Sequence, residues 1–260
     1  MADLHPSERN NKYHMSILFA LVFGLAAGLM VDYLSDVLPT RQKWGRPFCV
    51  HCGTVRPWPE YFRLGACQNC GKPRPWRGAV VLLLGMLISI WLWFNAPVKL
   101  GYGLSLALVS FLGLVMIIDI ETRLIMHVVS LFGAALGLVV GVVSHEIVPT
   151  LLGGLIGFIF MLILYMGGVL FARYQARKQG LAHSDEEALG FGDVTLAGVL
   201  GLILGFPKIF YGLFAGILLA GLFSLFLVGT LLLNKKFKAG DVYIPYGPFL
   251  ILGAVYIFLR

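Results

Sequence analysis

Long apolar stretches broken by short polar loops organise this chain from end to end. They run at about 15–34, 79–97, 101–118, 128–144, 148–171, 191–206, 209–233 and 242–259. A helix needs about 20 consecutive apolar residues to cross hydrocarbon, so the pattern predicts eight transmembrane helices. The runs at 128–144, 191–206 and 242–259 are short for that task and predict helices that begin inside the interface or are partly re-entrant. The one sizeable polar segment is 35–78. Three parts are expected: an N-terminal segment with the first helix (1–34), a loop domain (35–78) and a helical core (79–260). No internal repeat or low-complexity tract is apparent, so a transporter built from inverted repeats gains no support.

Composition turns this pattern into a fold class. Of 260 residues, 58% are hydrophobic and 13% charged, with a mean hydropathy of +0.85. That excludes an ordinary soluble globule and predicts an all-α polytopic membrane protein. The first apolar run is followed by Asp32, Tyr33 and Asp36 where a small-residue cleavage site would stand, so it is expected to remain as a helix. Lys and Arg set the orientation. With the N-terminus outside, fifteen of the 20 basic residues fall on the inner side, and only Arg9, Lys12, Lys99, Lys208 and Arg260 fall outside. Both termini are then external, and the loop domain is cytoplasmic. The net charge of +7 follows from this orientation; its dispersal over several loops argues against a nucleic-acid partner.

The loop holds every cysteine of the chain, as Cys49-Val50-His51-Cys52-Gly53 and Cys67-Gln68-Asn69-Cys70-Gly71. Two such turns, 14 residues apart, present four sulfurs that can converge on a tetrahedral ion, and Zn2+ is the expected metal. Cytoplasmic thiols stay reduced, which argues against two disulfides; a redox pair or unligated cysteines are the alternatives. Four cysteine ligands leave no open coordination position, so the expected role is structural. A loop of this length builds little core, and metal binding would supply its folding free energy. His51 is expected to face solvent, and Trp44, Trp58, Tyr61, Phe62 and Trp76 to pack around the loop or sit at headgroup level.

Two aspartates fall at the ends of apolar segments on the same, cytoplasmic, face: Asp119 after the third run and Asp193 before the sixth. An ionisable group at the edge of hydrocarbon is costly, and its default reading is functional. Asp193 has a structural alternative as a cap of the helix it precedes. For Asp119 the alternative is pairing with Arg123, because a negative charge at a helix C-terminus opposes the dipole. Gly190 and Gly192 flank Phe191 and leave backbone that an extended peptide can approach, which marks Gly190, Phe191 and Gly192 as candidate substrate-binding residues. Two neighbouring carboxylates share a proton, so one serves as base toward water while the other hydrogen-bonds a scissile carbonyl. That is the chemistry of aspartyl peptide hydrolysis.

These motifs together resemble the type IV prepilin leader peptidases, membrane aspartyl proteases of the Gly-x-Gly-Asp type. The resemblance rests on the first helix, the paired Cys-x-x-Cys turns, Ile118-Asp119-Ile120-Glu121-Thr122-Arg123-Leu124-Ile125, Leu189-Gly190-Phe191-Gly192-Asp193-Val194 and Ile244-Pro245-Tyr246-Gly247-Pro248-Phe249-Leu250. It implies a bacterial inner-membrane enzyme that cleaves the short basic leader of prepilins or pseudopilins, with Asp119 and Asp193 as the catalytic pair. It also implies N-methylation of the new terminus with S-adenosylmethionine, for which the loop offers no glycine-rich nucleotide fingerprint. The chain departs from the family pattern at Met126-His127, where a proline is usual, and at Thr195, where lysine is common. It departs again at Asp32 and Val37, where asparagine and arginine are typical. Asp185, Glu186 and Glu187 are either a solvated acidic run or an attractor for a basic leader. A transporter using the two aspartates as a proton or cation relay is the competing reading, and it would place them nearer mid-membrane.

Overall fold

The computed structural model describes residues 6–41, 45–49, 51–62, 65–123, 125–178, 190–233 and 245–260. In chain order the helices are α1 Pro6–Arg41, α2 Trp58–Phe62, α3 Arg77–Asn95, α4 Gly101–Thr122, α5 His127–His145, α6 Ile147–Lys178, α7 Phe191–Leu204, α8 Lys208–Leu233 and α9 Gly247–Phe258. Among the described residues the only β pairing is an isolated antiparallel bridge between Phe48 and Val55. The protein is an all-α polytopic membrane protein. Among the described residues six helices are long and apolar enough to cross a membrane, and α7 and α9 are shorter apolar helices. Leu131, Ile163, Phe214 and Leu225 are exposed on these helices, as lipid-facing side chains are.

Helix boundaries depart from the hydropathy pattern for local reasons. The run expected at 128–144 is a full 19-residue helix, whereas the last helix begins at Gly247 and not near 242. Pro248 in the first turn fits this start, because a proline there has no amide hydrogen to leave unbonded. At the other end of the chain, α1 runs past residue 34 and carries Asp32 and Asp36 inside the helix. Trp44, Asp185, Glu186 and Glu187 lie outside the described residues.

The chain separates into two units, Met1–Leu114 and Val115–Arg260, divided within α4. In the first, small residues let α1 and α3 approach closely: a Cβ on Gly28 would lie 3.2 Å from the Leu82 Cα. Ser89 on α3 donates to the Ala20 carbonyl at 2.6 Å. In the second unit, α7 packs against α6 and α5, and α8 against α9. A Cβ on Gly201 would meet the Gly153 carbonyl, and one on Gly216 would lie 2.8 Å from the Leu250 Cα. Backbones at such separations gain dispersion and lose little side-chain entropy, which is how helices associate where no hydrophobic effect drives them together.

Candidate active site and metal centre

Both cysteine pairs sit in turns of one design. In the first, the Cys49 amide donates to the Thr54 carbonyl at 2.9 Å and the Gly53 amide to the Cys49 carbonyl at 2.8 Å. In the second, Cys67 donates to Lys72 at 3.0 Å and Gly71 to Cys67 at 2.8 Å. Gly53 and Gly71 have φ of 71° and 67°, a region where a side chain would be strained. The four sulfurs lie within 4.8 Å of one another, with Cys49–Cys70 and Cys52–Cys67 separations of 3.8 Å. Tetrahedral zinc with Zn–S bonds of about 2.3 Å calls for sulfurs about 3.8 Å apart, so this donor set fits the metal. The Thr54 hydroxyl, then its amide, holds the Cys52 thiol down to about 6, and the Cys70 and Asn69 amides lower that of Cys67. Those two sulfurs are thus biased toward the thiolate that binds metal. His51 is exposed, as expected.

Beside this loop the structure assembles a charge cluster that the sequence reading missed. Asp32 and Asp36, one turn apart on α1, meet Arg74 from the end of the loop and Arg77 from the start of α3. Arg74 Nη2 lies 2.5 Å from Asp32 Oδ2 and 3.1 Å from Asp36 Oδ2. Arg77 pairs with both carboxylates as well. The Tyr61 hydroxyl donates to Asp36 Oδ2 at 2.6 Å, and the Arg74 guanidinium stacks on the Tyr61 ring at 3.8 Å. Burial, then the charge of Asp36, pushes the Tyr61 phenol well up, so it stays protonated as a donor. The signal available in the sequence was an acid pair with i,i+4 spacing at the end of an apolar run, the sort of site that demands cationic partners. Of the aromatic residues, Tyr61 is buried here and Trp58 packs on Tyr33 and Phe62, while Trp76 is 82% exposed at the start of α3.

Asp119 and Asp193 both belong to the second unit. Asp119 is 4% exposed in the last turn of α4. Its Oδ2 accepts the Gly247 amide at 3.1 Å, so it caps the N-terminus of α9 and faces the positive end of that helix's dipole. The cost of a carboxylate at the C-terminus of α4 is thereby offset, and the charge of Arg123 also acts on it. Asp193 occupies the first turn of α7 and accepts the Gly190 amide with its side chain, the back-reaching contact of a capping box. The charge of Asp119 acts on Asp193, so the two carboxylates lie within electrostatic reach. Gly192 is packed tightly, since a Cβ there would come 2.8 Å from the Ile125 Cβ. This seats the first turn of α7 against the segment that follows α4. By contrast, Gly190 is exposed, a Cβ there meeting only Asp193 Oδ2 and the Gly192 amide at 3.9 Å, and Phe191 is 42% exposed, edge-on to Tyr165. From α5, Ser130 reaches Thr195 at 3.0 Å.

The fold and these side chains define a multi-pass membrane protein with a pair of acids held at helix termini. Residues 106–225, which contain both acids and the Gly190–Asp193 turn, match the model of the type IV leader peptidase family. Over that segment the chain is similar to the family, which supports a leader peptidase function. The match does not extend to the cysteine loop or to α9. Comparison with curated proteins and with solved structures found no match.

Proposed function

We propose that this chain is an aspartyl endopeptidase that removes the short basic leader of type IV prepilins or pseudopilins at the cytoplasmic face of the bacterial inner membrane, with Asp119 and Asp193 as its catalytic pair. The observation that carries this reading is that acids 74 positions apart in sequence are brought within electrostatic reach inside the segment matching the leader peptidases. An ionised carboxylate takes a proton from water as the water oxygen bonds to the scissile carbonyl carbon. Its protonated partner gives its proton to the carbonyl oxygen. Collapse of the tetrahedral intermediate returns one hydroxyl proton to the partner carboxylate and breaks the C–N bond, and the proton held by the base passes to the leaving amine.

The exposed Gly190 and the exposed Phe191 ring are where we place the extended substrate, while Gly192 packs against Ile125. The cytoplasmic orientation rests on the distribution of Lys and Arg. Zinc, held by Cys49, Cys52, Cys67 and Cys70, would fasten the loop and leave no coordination position for chemistry. Methyl transfer from S-adenosylmethionine rests on the resemblance alone. The cavity beside the loop, lined by Asp36, Cys49, Arg56, Tyr61 and Arg74 among others, has about 280 Å³ of space including open solvent. No step is assigned to the cofactor. The test is cleavage of a basic-leader substrate by the purified full chain, comparing the parent with Asp119→Asn and Asp193→Asn. Cleavage at the parent rate by either variant would remove it from the pair.

A further inference from the structure

The first turn of α9 has a single amide hydrogen left over from its own hydrogen bonding. Phe249 and Leu250 donate to the Tyr246 carbonyl at 3.1 and 3.2 Å, and Pro248 has no hydrogen to give. The remaining donor, the Gly247 amide, goes to Asp119 Oδ2 at 3.1 Å, in a buried contact between residues 128 apart in sequence. The lack of a side chain at this position is required by the same contact. A Cβ on residue 247 would lie 2.6 Å from Asp119 Oδ2 and 3.0 Å from its Cγ, so any larger residue must displace the carboxylate.

Resting on the peptidase reading above, we propose that Gly247 is a positioning residue for catalysis: its amide clamps Asp119 Oδ2 as an acceptor and leaves Oδ1 as the oxygen that exchanges a proton with water or with Asp193. A backbone N–H can only donate, so it discriminates between the two oxygens of one carboxylate and fixes the rotation of the group. Pro245 and Pro248, on either side, stiffen the approach of the chain to this point. The turn therefore acts through Asp119 and needs no contact of its own with substrate.

Two changes of different kind test this in the full-length protein, reconstituted in lipid and assayed with a synthetic peptide carrying a basic leader. Gly247→Ala keeps the amide and displaces the carboxylate. An ester in place of the Tyr246–Gly247 peptide bond removes the hydrogen and adds no bulk. The expected result is a fall in kcat of about 100-fold for Gly247→Ala and about tenfold for the ester. KM should stay within about twofold for both, because uniform binding is untouched. Leu252→Ala, at an exposed position on the same helix, is the control that should leave kcat at the parent value. A purely structural cap would lower the melting temperature and leave kcat of the folded fraction unchanged; that outcome overturns the proposal. So does a rise in KM at constant kcat. Should Gly247→Ala fail to fold, the ester decides alone. Asp119→Asn and Asp193→Asn, measured in parallel, separate the two readings. If they still cleave, the dyad is wrong; if they are inactive while the ester has parental kcat, only the role of Gly247 is.

Discussion

Two pairs of carboxylates lie on apolar helices of this chain, and they differ in what surrounds them. Asp32 and Asp36 are enclosed by two guanidinium groups at ion-pair distance and by the Tyr61 hydroxyl, each partner reaching them through a side chain. Asp119 and Asp193 each accept one backbone amide, from Gly247 and Gly190. A buried carboxylate whose lone pairs are filled by fixed cations is committed to architecture, since moving its proton would break the whole set. One that accepts a single amide keeps an oxygen for chemistry. The environment of the acids, more than their burial, separates the two roles proposed for them.

The largest effect should come from the second pair. Asp119→Asn and Asp193→Asn are expected to lower the rate of leader cleavage about 1,000-fold, the scale of a lost general acid or base, with melting temperatures near the parent's. Asp32→Asn should do the reverse, lowering stability while the folded protein still cleaves. A thermal melt and a single-turnover assay on the same preparations read both. An Asp32→Asn protein that is fully stable but inactive would collapse the distinction.

Metal removal probes how the first pair is held. Arg74 reaches Asp32 and Asp36 from four residues beyond Cys70, and it also donates to the Tyr61 carbonyl at 2.9 Å. A loop with so little core would depend on a bound metal for folding, so on the zinc reading chelation should make all four thiols reactive and speed amide exchange across residues 45–76. Slow exchange in a preparation shown by elemental analysis to be metal-free would count against a structural zinc. A smaller effect is expected from Arg74→Ala, which strands buried carboxylates at a cost of about 3 kcal/mol. Replacing both members of a contact, Arg74→Met with Asp32→Leu, should cost less than Arg74→Ala alone, because no unpaired charge remains. Denaturant melts of the two variants give the comparison, and equal losses would mean that packing, and not charge, dominates the cluster.

The parts of this molecule that sequence made legible were those encoded over short spans. Apolar runs announced the long helices, and the Cys-x-x-Cys-Gly repeats announced the metal site, because the ligands of each turn lie three residues apart. The cap on Asp119 was not legible, since its donor is a backbone amide 128 residues away and carries no side-chain signature. From the sequence, Asp119 looked like a charge against its own helix dipole, and the structure resolves this by supplying the dipole of another helix. The Asp32–Arg74 and Asp36–Arg77 pairs were hidden in a similar way, being 42 and 41 residues apart. The extension of α1 through two acids makes physical sense only once those arginines are in place. The packing of Gly192 against Ile125 was not legible either, since hydropathy could not name that neighbour.

The smallest effect should come from the hydroxyl pair beneath Asp193. Thr195 Oγ1 lies 2.8 Å from the Gly192 carbonyl, which can only accept, so the single Thr195 hydrogen is spent there. Ser130, 3.0 Å away on α5, must then be the donor to Thr195. This chain of two hydrogen bonds fastens the residue preceding Asp193 to a neighbouring helix. Thr195→Val keeps the shape, removes both bonds and should cost about 1 kcal/mol. Ser130→Ala removes one and should cost less. The double variant should cost less than the two singles added together, because the second change finds nothing left to break. Cleavage should slow by no more than about tenfold, since the Gly190 amide still holds Asp193. A loss as large as that of Asp193→Asn would mean that the hydroxyl pair, and not the backbone amide, sets the position of this acid.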